Sequence, residues 1–308
     1  MNRPVMLESK PLVEGLSFAE GPRWHDDWLW FSDIVGNRVM RVREDGSEHQ
    51  TVAVIDRPSG LGFLPDGTLL VVGMKSRQVH RVSRDGTVSI HADLSAYGAG
   101  LNDMVVTAQG RAYVDCYRPG PPVAPPVGPD GASCSISDDI NRYYVNGLGA
   151  SPSLEGEILL VQPDGTTSVA ATGLNYPNGL GITADGRTLI ASISHEGRLL
   201  AFDIREDGTL ASPRLWADLP GRHPDGLCLD TDGGVWVACV AISAFLRIVE
   251  GGRITHQVPT YGRWAIAPAL GGADRRTLFM ISMEPIDVPH HRSWIDHARV
   301  SSAGAGLP

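Results

Sequence analysis

The chain has 308 residues, of which 42% are hydrophobic and 20% charged, with 36 glycines, 22 prolines and a formal net charge of −9. That apolar share is ample for a packed core and excludes a disordered chain. The acidic balance, with no basic cluster, excludes nucleic acid and anionic membrane surfaces as partners, because affinity for phosphate rests on lysine and arginine.

The N-terminus, MNRPVMLESKPLVEGL, lacks the apolar core and small-residue cleavage site of a secretory signal. No uninterrupted apolar run reaches the roughly 20 residues of a membrane span. A cytoplasmic location is the expectation. Cys116, Cys134, Cys228 and Cys239 form neither a CxxC pair nor a zinc spacing. Buried, reduced thiols are expected, with a Cys116–Cys134 bridge as the alternative.

One pattern then recurs along the chain: a small or polar pair, an apolar segment, a turn, and a β-rich run. Glu20-Gly21-Pro22-Arg23-Trp24 precedes WLWFSDI, and Ser59-Gly60-Leu61-Gly62-Phe63 precedes TLLVVGM. Asn102-Asp103-Met104-Val105-Val106 precedes RAYVDCY. Asn178-Gly179-Leu180-Gly181-Ile182 precedes RTLIASIS, and Asp225-Gly226-Leu227-Cys228-Leu229 precedes GVWVACV. The sixth copy is degenerate, with Arg263-Trp264-Ala265-Ile266-Ala267 before TLFMISM. Second halves such as Asn37–Val42 and Gly197–Phe202 alternate in hydrophobicity and run into Asp-Gly, the mark of hairpin turns.

The copies step by about forty residues, a length that suits a four-stranded propeller blade. One long step reflects an insertion over 118–155, rich in proline and glycine. It reads as a surface loop or a substrate lid, with Tyr143 and Tyr144 as contact residues. The expected fold is therefore all-β: a six-bladed β-propeller of four-stranded blades, one domain over 1–308, with a central metal site. Ring closure removes exposed sheet edges, and residues 5–16 are expected to supply a strand to the C-terminal blade.

Equivalent positions in a propeller's innermost strands form a ring, here Glu20, Ser59, Asn102 with Asp103, Asn178, Asp225 and Arg263. Five of the six carry an oxygen-bearing side chain. Burying such groups is costly unless something satisfies them, and one divalent cation would. Oxygen-only donors suit hard ions: Ca²⁺ first, with Mg²⁺, Mn²⁺ or Zn²⁺ as alternatives. The competing reading is that Asn-Gly and Asp-Gly are simply turn dipeptides. An ion on Glu20, Asn178 and Asp225 would leave positions open to polarise a carbonyl and acidify water, with Asp225 or Asp103 as general base. Hydrolysis of a lactone or activated ester fits these parts. No GxSxG, GxGxxG or P-loop pattern points elsewhere.

Ala19–Trp24, Tyr176–Leu180, Pro224–Leu227 and Val235–Ala238 together resemble the SMP-30/gluconolactonase/LRE family over roughly residues 14–284. The resemblance implies a six-bladed propeller and a divalent metal on Glu20, Asn178 and Asp225. It also implies lactone hydrolysis with Asp225 as base, and Asn102, followed by Asp103, against the substrate. Sugar-lactonase members often carry an arginine two residues before that asparagine, where this chain has Gly100. The family acid expected beyond the next strand has no counterpart in Cys116-Tyr117-Arg118-Pro119. An apolar pocket formed by Trp24, Tyr117, the insertion and Trp264 is expected, and with it a lactone or ester that need not be a sugar. His223 is a pocket candidate, His195 a surface turn residue, and His290, His291 and His297 part of a frayed tail. The alternatives from other classes are a non-catalytic calcium-binding or ligand-sensing propeller and a scaffold for protein partners.

Overall fold

The computed structural model describes residues 3–98, 100–117, 155–285 and 292–305. Strands β1 (Val5–Met6) and β2 (Lys10–Leu16) precede the first repeat. Blade 1 is β3 (Ala19–His25), β4 (Trp28–Asp33), β5 (Arg38–Val42) and β6 (Gln50–Val54). Blade 2 is β7 (Pro58–Phe63), β8 (Leu69–Gly73), β9 (Gln78–Val82) and β10 (Val88–Asp93). Blade 3 is β11 (Gly100–Val106), β12 (Ala112–Tyr117), β13 (Glu155–Val161) and β14 (Thr167–Asn175). Blade 4 is β15 (Pro177–Ile182), β16 (Thr188–Ile193), β17 (Arg198–Asp203) and β18 (Arg214–Asp218). Blade 5 is β19 (Pro224–Leu229), β20 (Gly234–Cys239), β21 (Ala244–Val249) and β22 (Arg253–Pro259). Blade 6 is β23 (Trp264–Gly271), β24 (Thr277–Met283) and β25 (Ser293–Arg299), completed by β2 as its outer strand. The six-bladed propeller expected from the repeat is the fold of this chain.

Strand position follows sequence hydrophobicity. The innermost strands β7, β15 and β19 consist of small and apolar residues and are buried almost throughout, whereas the outer strand β10 faces water along most of its length. The Asp-Gly joints are hairpin turns. At Asp66-Gly67 the Asp66 carboxylate accepts the Thr68 N–H at 2.9 Å while Gly67 takes φ 79°. Six apolar clusters sit one at each seam, such as Leu70, Val72, Met104 and Val114 between blades 2 and 3. The core is thus a ring of six interfaces around a central channel.

Ring closure is more divided than expected. Residues 10–16 pair antiparallel with β25, as the topology requires, but Val5 and Met6 run parallel to β22 and add a fifth strand to blade 5. His297 lies in β25 opposite Lys10 and is not in a frayed tail, because β2 covers that edge. The insertion with Tyr143, Tyr144 and Cys134 lies outside the described residues, as do His290 and His291.

Candidate active site at the channel axis

Every innermost strand breaks register near its start, between Glu20 and Arg23, Pro58 and Leu61, Leu101 and Met104, Pro177 and Leu180, Pro224 and Leu227, and Ala265 and Ala267. A bulge turns a side chain out of the alternating pattern and commonly marks a site. Glu20, Ser59, Asn102, Asn178 and Asp225 occupy these bulges, and all five are buried. The following residue is usually glycine because neighbouring strands meet backbone to backbone. A Cβ at Gly60 would lie 2.4 Å from Met104 N, and one at Gly179 would lie 2.3 Å from Asp225 O. The same contact fixes the sixth position: a Cβ at Gly226 would meet Ile266 O and Ala267. The sixth ring residue is therefore Ile266, not Arg263. Arg263 instead pairs with Asp296 of β25. Degeneracy of the last repeat hid a three-residue offset.

Polar contacts link the ring across blades. Ser59 Oγ donates to Asn102 Oδ1 at 2.6 Å, and Asn102 Nδ2 donates to Asn178 Oδ1 at 3.0 Å. Second-strand hydroxyls fix the next blade's ring residue: Ser32 Oγ donates to Ser59 O at 2.6 Å, and Ser192 Oγ donates to Asp225 O at 2.7 Å. In blade 3 the partner is Asp115, whose Oδ1 accepts the N–H groups of both Asn102 and Asp103, at 2.9 and 2.8 Å.

Four buried carboxyl groups, Glu20, Asp103, Asp115 and Asp225, gather here. Arg23 enters the cluster and pairs with Asp103 at 3.2 Å, while Asp103 Oδ2 accepts Leu180 N–H at 3.3 Å. One guanidinium cannot balance four carboxyls. The Glu20 carboxyl is pushed well above the usual range, first by burial and then by the charges of Asp225 and Asp103. The Asp115 carboxyl is raised well above its range by burial and then by Asp103. Glu20 Oε2 accepts no hydrogen bond within the described residues. An orphaned buried oxygen, an excess of acid and an oxygen-only donor set fit a hard divalent cation.

The cluster has a pH signature. A buried acid with a raised folded-state pKa stabilises the fold most below its unfolded pKa, and that contribution is lost as pH rises through the folded value. With chelator present, wild type is expected to lose thermal stability relative to Asp115→Asn between pH 5 and 9, since asparagine keeps the Oδ1 acceptor without the charge. Parallel melting curves for the two proteins across that range would remove this account of Asp115.

Above the ring lies the channel mouth. Two positions before the ring residues stand Phe18, Arg57, Gly100, Tyr176, His223 and Trp264. Tyr117, at the end of β12, packs against the same apolar cluster as Tyr176 and Trp264. His195, expected on the surface, is largely withdrawn from water: it stacks on Tyr176 at 4.5 Å. Burial, then the charge of His223, pushes its pKa down to about 4. Nothing in the local sequence Ser194-His195-Glu196-Gly197 distinguishes it from a turn; only its distance from the Tyr176 repeat position could have done so. Trp24 lies at the other end of β3, stacked on Phe279 at 5.5 Å. It lines a small cavity of about 50 Å³ with Arg23, Leu180, Leu227 and Leu270. Strand rise carries it about 13 Å from Glu20. The structure thus brings Glu20, Asn102, Asn178 and Asp225 together, with Asp103 next to them, and sets Trp24 apart. Arg23 and Asp115 escaped sequence reasoning because each reads as an ordinary strand residue.

The buried thiols of Cys228 and Cys239 belong to seam packing. Burial raises both, Cys239 to about 12. Among the described residues no helix is long and apolar enough to cross a membrane.

Six blades with buried carboxylates and amides converging on the axis define a six-bladed β-propeller with a polar axial ring. This chain belongs to the SMP-30/gluconolactonase/LRE-like family, whose pattern matches residues 18–284. Among curated relatives, the pentonolactonase XacC of Haloferax volcanii is 25% identical over 71% of this chain and 66% of its own length. The 6-deoxy-6-sulfogluconolactonase of Pseudomonas putida is 26% identical over 74% of this chain and 85% of its own. The crystal structure of a calcium-binding protein, regucalcin, from Agrobacterium tumefaciens superposes with TM-score 0.71 at 15% identity, covering 98% of this chain and 99% of that one.

Proposed function

We propose that this protein is a divalent-metal-dependent lactonase acting on a cyclic ester that need not be a sugar. The observation that carries the reading is the set of buried oxygen donors on separate blades, with an orphaned carboxylate oxygen on Glu20. The names of its relatives, lactonases and a calcium-binding regucalcin, agree with it.

Glu20, Asn178 and Asp225 are the residues that would hold the ion, with Ca²⁺ the ion best suited to them. When bound, such an ion polarises a carbonyl and makes water more acidic. Asn178 Oδ1 already accepts the Asn102 amide and the Gly179 N–H, both at 3.0 Å. The Asn102 amide, beside Asn178, would donate a hydrogen bond to the substrate carbonyl. Asp225 takes the proton of the attacking water as its oxygen bonds to the carbonyl carbon. The ring C–O bond breaks, the leaving oxygen receives that proton, and a hydroxy acid departs. Asp103 is held by Arg23 and by the N–H groups of Met104 and Leu180, so its part is to anchor charge beneath the ring. Tyr117, His223 and Trp264 would meet the rest of the substrate at the mouth.

Chelation is expected to lower turnover of a panel of sugar, alkyl and aromatic lactones by at least about 100-fold, with recovery on adding Ca²⁺ or Mn²⁺. Full activity in the chelated protein would falsify the metal-dependent reading. Glu20→Ala and Asn178→Ala are expected to lower bound metal measured by elemental analysis; unchanged metal content in both would move the site elsewhere.

A further inference from the structure

The mouth has one gap and one filler. Gly100 is the one mouth position without a side chain, and its space is taken from the neighbouring strand. A Cβ at Gly100 would lie 2.1 Å from Tyr117 Cζ, 2.3 Å from Cε2 and 2.4 Å from the hydroxyl oxygen. Real Cβ atoms do not approach that closely, so the Tyr117 ring lies against the Gly100 backbone because no side chain is there. Glycine and tyrosine form a pair: any larger residue at 100 must expel the ring.

The Tyr117 ring begins a column. It stacks on Tyr176 at 5.6 Å and 25°, and Tyr176 stacks on His195 at 4.5 Å and 9°. Tyr176 is held with φ 65° directly before Pro177, and His223 with φ 47° directly before Pro224. A left-handed backbone at a residue with a bulky side chain is strained and persists where surroundings impose it. Here it sets two ring-bearing side chains at the start of the strands that carry Asn178 and Asp225. Planar faces attract planar faces in offset stacks. Tyr176 is the buried middle of the column, 3% exposed, so the ring this part of the rim offers a substrate is that of the half-buried Tyr117.

We infer that the Tyr117–Tyr176–His195 column is a specificity-determining platform selecting lactones with a planar aromatic group, and that Gly100 and Tyr117 are the deciding pair. The inference rests on the lactonase reading of the axial site. It concerns positioning only; none of these rings takes part in bond making.

The test uses the calcium-loaded protein with three δ-lactones: dihydrocoumarin, δ-valerolactone and glucono-δ-lactone. Tyr117→Leu is expected to raise KM for dihydrocoumarin about fivefold to tenfold. The rise in KM for δ-valerolactone should be at least about threefold smaller, and Tyr117→Phe should recover most of what Tyr117→Leu loses. The double variant Gly100→Arg with Tyr117→Ser is expected to shift the kcat/KM ratio toward glucono-δ-lactone by at least about tenfold. Equal KM changes for the aromatic and alkyl lactones, or none, overturn the platform. Coumarin binding by calorimetry separates the two readings. If no lactone is turned over yet Tyr117→Leu weakens coumarin binding fivefold or more, the hydrolase reading fails and the platform stands. If lactones are turned over but coumarin affinity ignores Tyr117, the platform alone fails.

Discussion

Asp225→Asn is expected to reduce lactone turnover by about 10²–10⁴-fold, the range a positioned general base supplies. The substitution keeps an oxygen at the bulge and removes the charge, so the fold should be retained: the backbone carbonyl of Asp225, held by Ser192 Oγ, is untouched. Two causes of loss can be told apart. If Asp225 served only to hold the ion, saturating cation would restore turnover. If it also accepts a proton, the loss persists at any cation concentration, and the acidic limb of the pH–rate profile disappears with it. Asp103→Asn should behave differently, with turnover within about tenfold of wild type, because Asp103 is engaged by Arg23 beneath the ring. A larger loss from Asp103→Asn than from Asp225→Asn would reverse the assignment of the base.

Arg23→Met is expected to destabilise the protein by about 3–5 kcal/mol, the penalty for leaving a buried charge without its partner. The Arg23 and Asp103 side chains are 10% and 6% exposed, so water does little to screen the buried charge left without a partner. Arg23 also donates to Pro22 O and Met104 O, tying blade 1 to blade 3 across the axis. The double change Arg23→Met with Asp103→Asn should recover a good part of the loss, since asparagine removes the unpaired charge and keeps an acceptor for the Met104 N–H. Urea denaturation of the four proteins in chelator measures the cycle. A loss below about 1 kcal/mol in the single variant would place this pair among ordinary surface bridges.

What the amino-acid sequence disclosed depended on how faithfully each repeat copied the others. Glu20, Ser59, Asn102, Asn178 and Asp225 stood out because a polar residue recurs where the chain is otherwise apolar, and the bulges bear that position out. The sixth repeat lost both its polar residue and its glycine, so Arg263 was aligned where Ile266 stands. Trp24 follows Glu20 by four residues, close in sequence yet a strand's length away, because β-structure converts short spacing into distance. Arg23, which reaches blade 3 from blade 1, and Asp115 and His195, which act within their own blades, carry no local signature. Their roles come from which strands face one another. The parallel pairing of Val5–Met6 with β22 was hidden for the same reason: two residues hold no periodicity to read.

Closing blade 6 with β2 also sets a timetable for synthesis. Lys10–Leu16 leaves the ribosome roughly 280 residues ahead of its partner, Ser293–Arg299. At about 5–20 residues per second, the early strand waits roughly 15–60 s for the late one. During that time the nascent arc exposes a bare sheet edge at its growing end, where another chain can add a strand. The ring therefore closes only once Ser293–Arg299 has been made, and chain quality is decided in that interval. Slower elongation through blades 5 and 6 would prolong the exposure, and a chaperone that shields strand edges would act there.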